Sequence, residues 1–344
     1  SAASDVYKRQ VLACIIYTVV SSAQWRSQID SLKADYFLED SDTSQVNLAI
    51  KIAKRYLDKN NDSALFYHNL ALNKAVTAGS NNLKARALNA LSLFYFDTHQ
   101  YKQAITNFKE TEALQQLLGN IDELGYVQNY IGFCYTSLYA EDKAIEYFLR
   151  SIKSFKSVGN RDGVGMNQID IGNLYYGQEN YEFAKKYFND ALEIYVDLND
   201  KLGIESCYIN LGNATADSGD CKGGLDFYQE ALNIALEFED TNGVAVSFNN
   251  IGDCYITLKE FEKAENYFLK AKELAKTLND HELDAILLLN LADVKNKTNN
   301  HTKAIALANQ SVQISQKYGF VDFEIDNLDI ITQSYEALGD EKTH

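Results

Sequence analysis

Apolar and polar residues alternate along this chain with the period of a helix, and the helices themselves recur. Between Asn129 and Leu138 the apolar or small positions are Tyr130, Ile131, Cys134, Tyr135 and Leu138. That is the i, i+3, i+4, i+7 stripe of one helix face. From Glu141 to Lys156 the stripe returns as Ala144, Ile145, Phe148, Ile152 and Phe155. The polar break Tyr139-Ala140-Glu141-Asp142 separates them, so the segment predicts a helical hairpin. The hairpin repeats at forty residues. Gly132, Gly172, Gly212 and Gly252 hold one slot, and Ala144, Ala184, Gly224 and Ala264 hold a second small one. Phe148, Phe188, Tyr228 and Phe268 hold an aromatic slot, followed by Ser151, Ala191, Ala231 and Ala271.

The register extends in both directions. Ser92, Ala104, Phe108 and Thr111 precede it, and Ala64, His68 and Ala71 come one unit earlier. Ala292, Ala304, Ala308 and Ser311 follow. Seven units run from about Val46 to Asp322, and an eighth begins at Phe323 with Tyr335 and Gly339-Asp340 in register. Self-similarity at this period predicts an α-solenoid in which each hairpin buries its apolar faces only against its neighbours. Gly79, Gly119, Gly159, Asn199, Asn279 and Gly319 close the units, residue types that tolerate the left-handed conformation ending a helix. Gly163, Gly203 and Gly243 open units, again forty apart. No proline interrupts any helix. The small slots predict a close crossing, the glycine facing the alanine and the aromatic filling the wedge one turn on.

Ile131-Gly132-x-x-Tyr135 followed by Ala144-x-x-x-Phe148-x-x-Ser151 resembles the tetratricopeptide repeat from Val46 onward. The unit is longer than the usual thirty-four residues, and the closing proline is absent. The early tryptophan position holds Gln128, Gln168, Tyr208 and Ser247 or Phe248. The resemblance implies an all-α fold, a right-handed superhelix of about seven hairpins plus a partial eighth. The longer unit is similar to two groups: the asparagine-rich repeats of spindle-orientation adaptors, and the repeat region of Bacteroidetes-type sensor histidine kinases and regulators.

The N-terminus favours the second group. Residues 1–10 read as a non-native leader. Lys8-Arg9, the apolar Val11–Val20 and the small residues up to Ala23 read as a secretory signal over 11–23, the alternative being a helix of a first hairpin. Residues 24–45 form an N-terminal helical segment, and 46–344 the repeats. With Met166 the only methionine, the chain is expected to be part of a longer protein, in which a membrane span and an output domain such as a kinase follow His344.

Composition narrows the partners. A net charge of −16 opposes nonspecific attraction to nucleic acid or anionic lipid. The five cysteines form no disulfide framework, and a buried thiol acts as a small hydrophobe. Gly163-x-Gly165 lacks a third glycine and follows a helix, so it is no nucleotide fingerprint, and no C-x-x-C or H-E-x-x-H occurs. The five histidines are scattered. No catalytic residue, metal site or cofactor is therefore expected of this region.

In the family it resembles, residues three before and one after the central glycine line the inner groove. Here those slots hold Asn89, Asn129, Asn173, Asn213, Asn249, Asp253 and Asp293. The slot two before the glycine holds Asp170, Asn210, Asn250 and Asn290. Carboxamides offer donor and acceptor together and so suit the backbone of an extended peptide. Asn129, Asn173, Asn213 and Asn249 are expected to face the groove. Asn210, Asn250 and Asn290 either do so or tie neighbouring helices together. Lys and Arg are nearly missing from these slots, Arg86 excepted, so no basic carboxylate clamp is expected. The expectation is a peptide- or protein-binding scaffold outside the cytoplasm, sensing for a membrane-bound signalling protein. The alternative is a free-standing adaptor.

Overall fold

The computed structural model describes residues 25–57, 59–320 and 323–341. The expected leader and signal segment, with Cys14, lie outside them. Among the described residues the regular structure is helical, with no strand. The chain divides into two compact units, one ending at Gly163 and one starting at Val164.

The first unit begins with α1, residues 25–38. Three hairpins follow: α2 (Asp42–Tyr56) with α3 (Asn61–Thr77), α4 (Asn81–Asp97) with α5 (Tyr101–Leu118), and α6 (Ile121–Ser137) with α7 (Glu141–Val158). The boundary falls within α8 (Arg161–Gly177). In the second unit come α9 (Tyr181–Leu198), α10 (Lys201–Asp217), α11 (Cys221–Glu237), α12 (Thr241–Thr257), α13 (Phe261–Leu278), α14 (His281–Lys297), α15 (His301–Tyr318) and α16 (Glu324–Glu341). Within it, hairpin partners α10·α11, α12·α13 and α14·α15 pack together, and so do the successive first helices α10·α12 and α12·α14.

Turn chemistry sets the period. A residue with positive φ stands every twenty positions from Gly79 to Gly319. The unit-closing Gly79, Gly119, Gly159, Asn199, Asn279 and Gly319 adopt this conformation as expected. The turns inside the hairpins adopt it too, at Gly219 and, without glycine, at His99, Tyr139, Glu179, Lys259 and Asn299. An unbranched L side chain tolerates the left-handed region at a modest cost, so composition did not reveal these turns. Aspartates and a serine then restart helices. Ser80 Oγ accepts from Leu83 N at 3.3 Å, and Asp280 Oδ1 from Leu283 N at 3.0 Å.

The close crossing differs in detail from the expected one. The aromatic rings lie directly on the forty-residue glycines. A Cβ added at Gly132, Gly172 or Gly252 would come within 2.5 Å of Phe148, Phe188 or Phe268, and Gly212 meets Tyr228 in the same way. The small slot has a separate partner: a Cβ on Gly224 would stand 2.9 Å from the Ala216 methyl and 3.2 Å from the Gly212 carbonyl oxygen. Helical side chains lean toward the start of their own helix. A ring therefore covers a spot about one turn before its own Cα, which is where the glycine lies.

A second packing rule operates between successive first helices. At four junctions three slots face one another around one large side chain. Phe155 of α7 lies against both Gly125 of α6 and Gly163 of α8, 2.6 Å from a Cβ on either. Tyr195 of α9 lies in the same way between Gly165 and Gly203. One junction later the second-helix slot is Ala235, and Glu205 of α10 fills the space against Gly243. In the following junction Ala245 and Ala275 are both small, and Leu283 of α14 packs with them. The filler is buried in every case, although it comes from a different helix each time.

Candidate functional site

The first helices of the second unit carry a hydrogen-bonded row of carboxamides. Asn290 Nδ2 on α14 donates to Asn249 Oδ1 at 3.0 Å and Asp253 Oδ1 at 3.1 Å, both on α12. Asn249 Nδ2 donates in turn to Asp253 Oδ2 at 3.2 Å and Asn250 Oδ1 at 3.3 Å. Asn250 Nδ2 reaches Asn213 Oδ1 on α10 at 3.3 Å, and the Tyr228 hydroxyl donates to the same oxygen at 2.8 Å. Three successive first helices are thus linked through side chains 37 or 41 residues apart, because the forty-residue period puts neighbouring slots side by side in the stack.

These bonds involve the slot two before the glycine, for which the sequence offers both groove contact and a tie between helices. Asn250 and Asn290 tie each first helix to the preceding one. Asn210 in the same slot is half-buried. Asn173 is exposed. Asp293 forms an ion pair with Lys297 at 2.6 Å within α14. Asn129 departs from expectation: it is buried, 3% exposed, and does not face a groove. The slot three before the glycine is not uniform in burial, since Asn249 in α12 is half-buried. In α14 that position is the buried Leu289. Sequence reasoning also missed the bond from the Tyr176 hydroxyl to Asp217, beside this row.

The row is electrostatically tense. Burial pushes the Asp253 carboxyl up to about 7; the Asn249 hydrogen bond opposes the rise, while Asp293 and Asp217 add to it. Near neutral pH this group exchanges between an acceptor-only carboxylate and an acid that can donate. Elsewhere in the same unit, burial and then Asp240 push Glu205 up to about 7, and its Oε2 has no hydrogen-bond partner. In the first unit His68 occupies the aromatic slot, buried against Phe94, and burial lowers it to about 4, with a smaller contribution from Lys54. It is a neutral packing residue. Cys134, Cys207, Cys221 and Cys254 are buried free thiols. Among the described residues no cluster of three metal-binding side chains occurs, and no helix is long and apolar enough to cross a membrane.

Residues 123–196, 203–277 and 244–317 match the tetratricopeptide repeat, together more than half of the chain. The chain belongs to the tetratricopeptide-repeat family. Solved structures that share the tetratricopeptide fold include the apo form of RapI, at 17% identity over 80% of this chain and 99% of that one, TM-score 0.61. The signal transduction ATPase with a tetratricopeptide repeat sensor from Pyrococcus horikoshii matches at 16% identity over 93% and 52%, TM-score 0.61. A Rap protein complexed with competence and sporulation factor matches at 16% identity over 87% and 88%, TM-score 0.57. At these identities the likeness is one of fold. No curated protein matches this tetratricopeptide chain.

Proposed function

We propose that the second unit binds an extended peptide segment along the carboxamide row, and that the protein senses this ligand outside the cytoplasm for a membrane-bound signalling system of the Bacteroidetes type. The observation that carries the reading is the linked row Asn213–Asn250–Asn249–Asn290 with Asp253. Its bonds are side chain to side chain and mostly 3.0–3.3 Å long, so a peptide backbone can exchange with them at little net cost. Exposed Asn173 adds an uncommitted carboxamide. The Rap protein crystallised with competence and sporulation factor is a precedent for ligand capture by this fold. The extracytoplasmic setting rests on the apolar Val11–Val20 and the small residues up to Ala23 that precede the repeats.

Selection of a random-sequence peptide display library on the purified protein tests the binding. Enriched peptides are expected to lose binding to a variant with Asn213, Asn249 and Asn290 changed to Ala while that variant keeps its helical signal. No enrichment over blank support, or equal binding by the variant, would sink the reading. Fusion of the repeats to alkaline phosphatase tests the setting. An active phosphatase is expected; an inactive fusion retained in the cytosol would leave a free-standing adaptor.

A further inference from the structure

The first unit has a junction of its own with polar fillers. Where other junctions place Phe155 or Tyr195, the junction between α4 and α6 places Gln115, and Glu123 stands where Gly163 and Gly203 stand later. The space is incompletely filled. A cavity of about 430 Å³ remains, lined by Asn82, Arg86, Asn89, Gln115, Asn120 and Glu123. That volume suits a small molecule, and a wall without one apolar side chain suits a polar group.

The wall holds both signs of charge, and they are not spent on each other. Arg86 donates one N–H to Asn47 Oδ1 at 2.8 Å, and neither it nor Glu123 takes part in an ion pair among the described residues. Asn89 Oδ1 is enclosed and receives no hydrogen bond, so a donor is missing there. Gln115 Oε1 is already taken by Asn120 Nδ2 at 2.9 Å. A second cavity of about 350 Å³ adjoins, sharing Arg86 and Asn89. Its wall changes character, adding Ile50, Ala90, Leu93 and Lys54.

We propose that the paired cavities bind a free α-amino acid with an apolar side chain. Arg86 takes the carboxylate through its planar fork of donors. Glu123 accepts from the ammonium, and so does Asn89 once its carboxamide turns the donor-less oxygen toward the cavity. The side chain enters the second cavity against Ile50, Ala90 and Leu93. Only a zwitterion presents both charges on one carbon, and that separates this ligand from a peptide terminus. The site shares no residue with the carboxamide row and stands or falls independently of it.

Calorimetric titration of the intact protein with each free L-amino acid tests this, alongside the N-acetyl and C-amide forms of any that bind. An apolar amino acid is expected to bind, and blocking either end is expected to weaken it by about tenfold or more, the loss of one charge-assisted contact. Arg86→Gln is expected to weaken binding similarly. Asn89→Ala is expected to do so while leaving the melting temperature unchanged, because this carboxamide bonds nothing in the free protein. Equal affinity for blocked and free forms would overturn the proposal. So would the absence of binding up to about 10 mM.

Discussion

The Phe155 junction in the first unit and the Glu205 junction in the second solve one geometric problem with opposite chemistry. Both fill the space between two successive first helices, and both fillers are buried, 0% and 4% exposed. At the first, an aromatic ring lies between two glycines. At the second, the ring's slot has shrunk to Ala235, the glycine slot has grown to Glu205, and Gly243 is retained. Volume is conserved and polarity is not. At the junctions with one large side chain the filler comes from any of the three slots, as close packing allows, whereas the polar junction of α4 and α6 keeps a cavity. The energies differ. The ring contributes apolar burial at every pH, whereas the carboxyl contributes favourably only while it holds its proton.

The largest effect that would break this comparison is Phe155→Ala. Removing a fully buried ring between two glycines leaves nothing to refill the space, and a loss of about 3–5 kcal/mol is expected in denaturant unfolding. A loss below about 1 kcal/mol would mean that the junction collapses freely and the one-filler rule is wrong.

Glu205→Gln keeps the volume and removes the charge. The folded-state value, about 7, lies above the ordinary 4.5 of a glutamate. Stability from this group is therefore fully present below pH 4.5 and is lost as pH rises through 7. At pH 8 the variant is expected to be more stable than the parent, with no difference at pH 4. Comparing variant with parent removes the similar slope from Asp253. A parallel offset at all pH values would show that Glu205 is not buried as a lone acid.

His68 sharpens the contrast, because a base buried in a ring slot titrates with the opposite sign. Its folded-state value, about 4, lies below the ordinary 6.5. The stability it contributes is present above pH 6.5 and is lost as pH falls toward 4. His68→Phe is expected to gain on the order of 2 kcal/mol at pH 5 relative to its effect at pH 7.5, read from melting curves.

The smallest effect is expected in the carboxamide row. Asn250→Ala removes the 3.3 Å links to Asn213 and from Asn249 but leaves the Asn213 oxygen its bond from Tyr228. A cost of about 0.5–1.5 kcal/mol is expected. A larger loss would make the row chiefly a tie between helices and weaken its assignment to peptide capture.

Much of this was open to reading from the chain alone. The forty-residue register, the two helices per unit and the glycine or asparagine closing most units depend on contacts between residues three or four apart and on local backbone preference, which a linear pattern records directly. The identity of the slots was therefore legible, and so was the all-helical repeat. What each slot faces was not. Asn129 and Asn249 hold the same slot, yet one is buried and the other belongs to a bonded row. Gly132 carries a ring where a methyl was expected. Tyr139 and Lys259 make left-handed turns that their residue types do not announce. Glu205 looks in the chain like any charged helix residue until Ala235 and Gly243 are seen to leave it their space. Arg86 and Asn89 border a cavity because Gln115, twenty-six residues beyond Asn89, is too short and too polar to close it. In the packing instances the deciding neighbours stand sixteen to thirty-eight residues away in sequence. A periodic pattern specifies which face a residue takes on its own helix, but the distance and tilt between helices, and so the occupant of the space between them, are set by the packing of side chains from three helices at once.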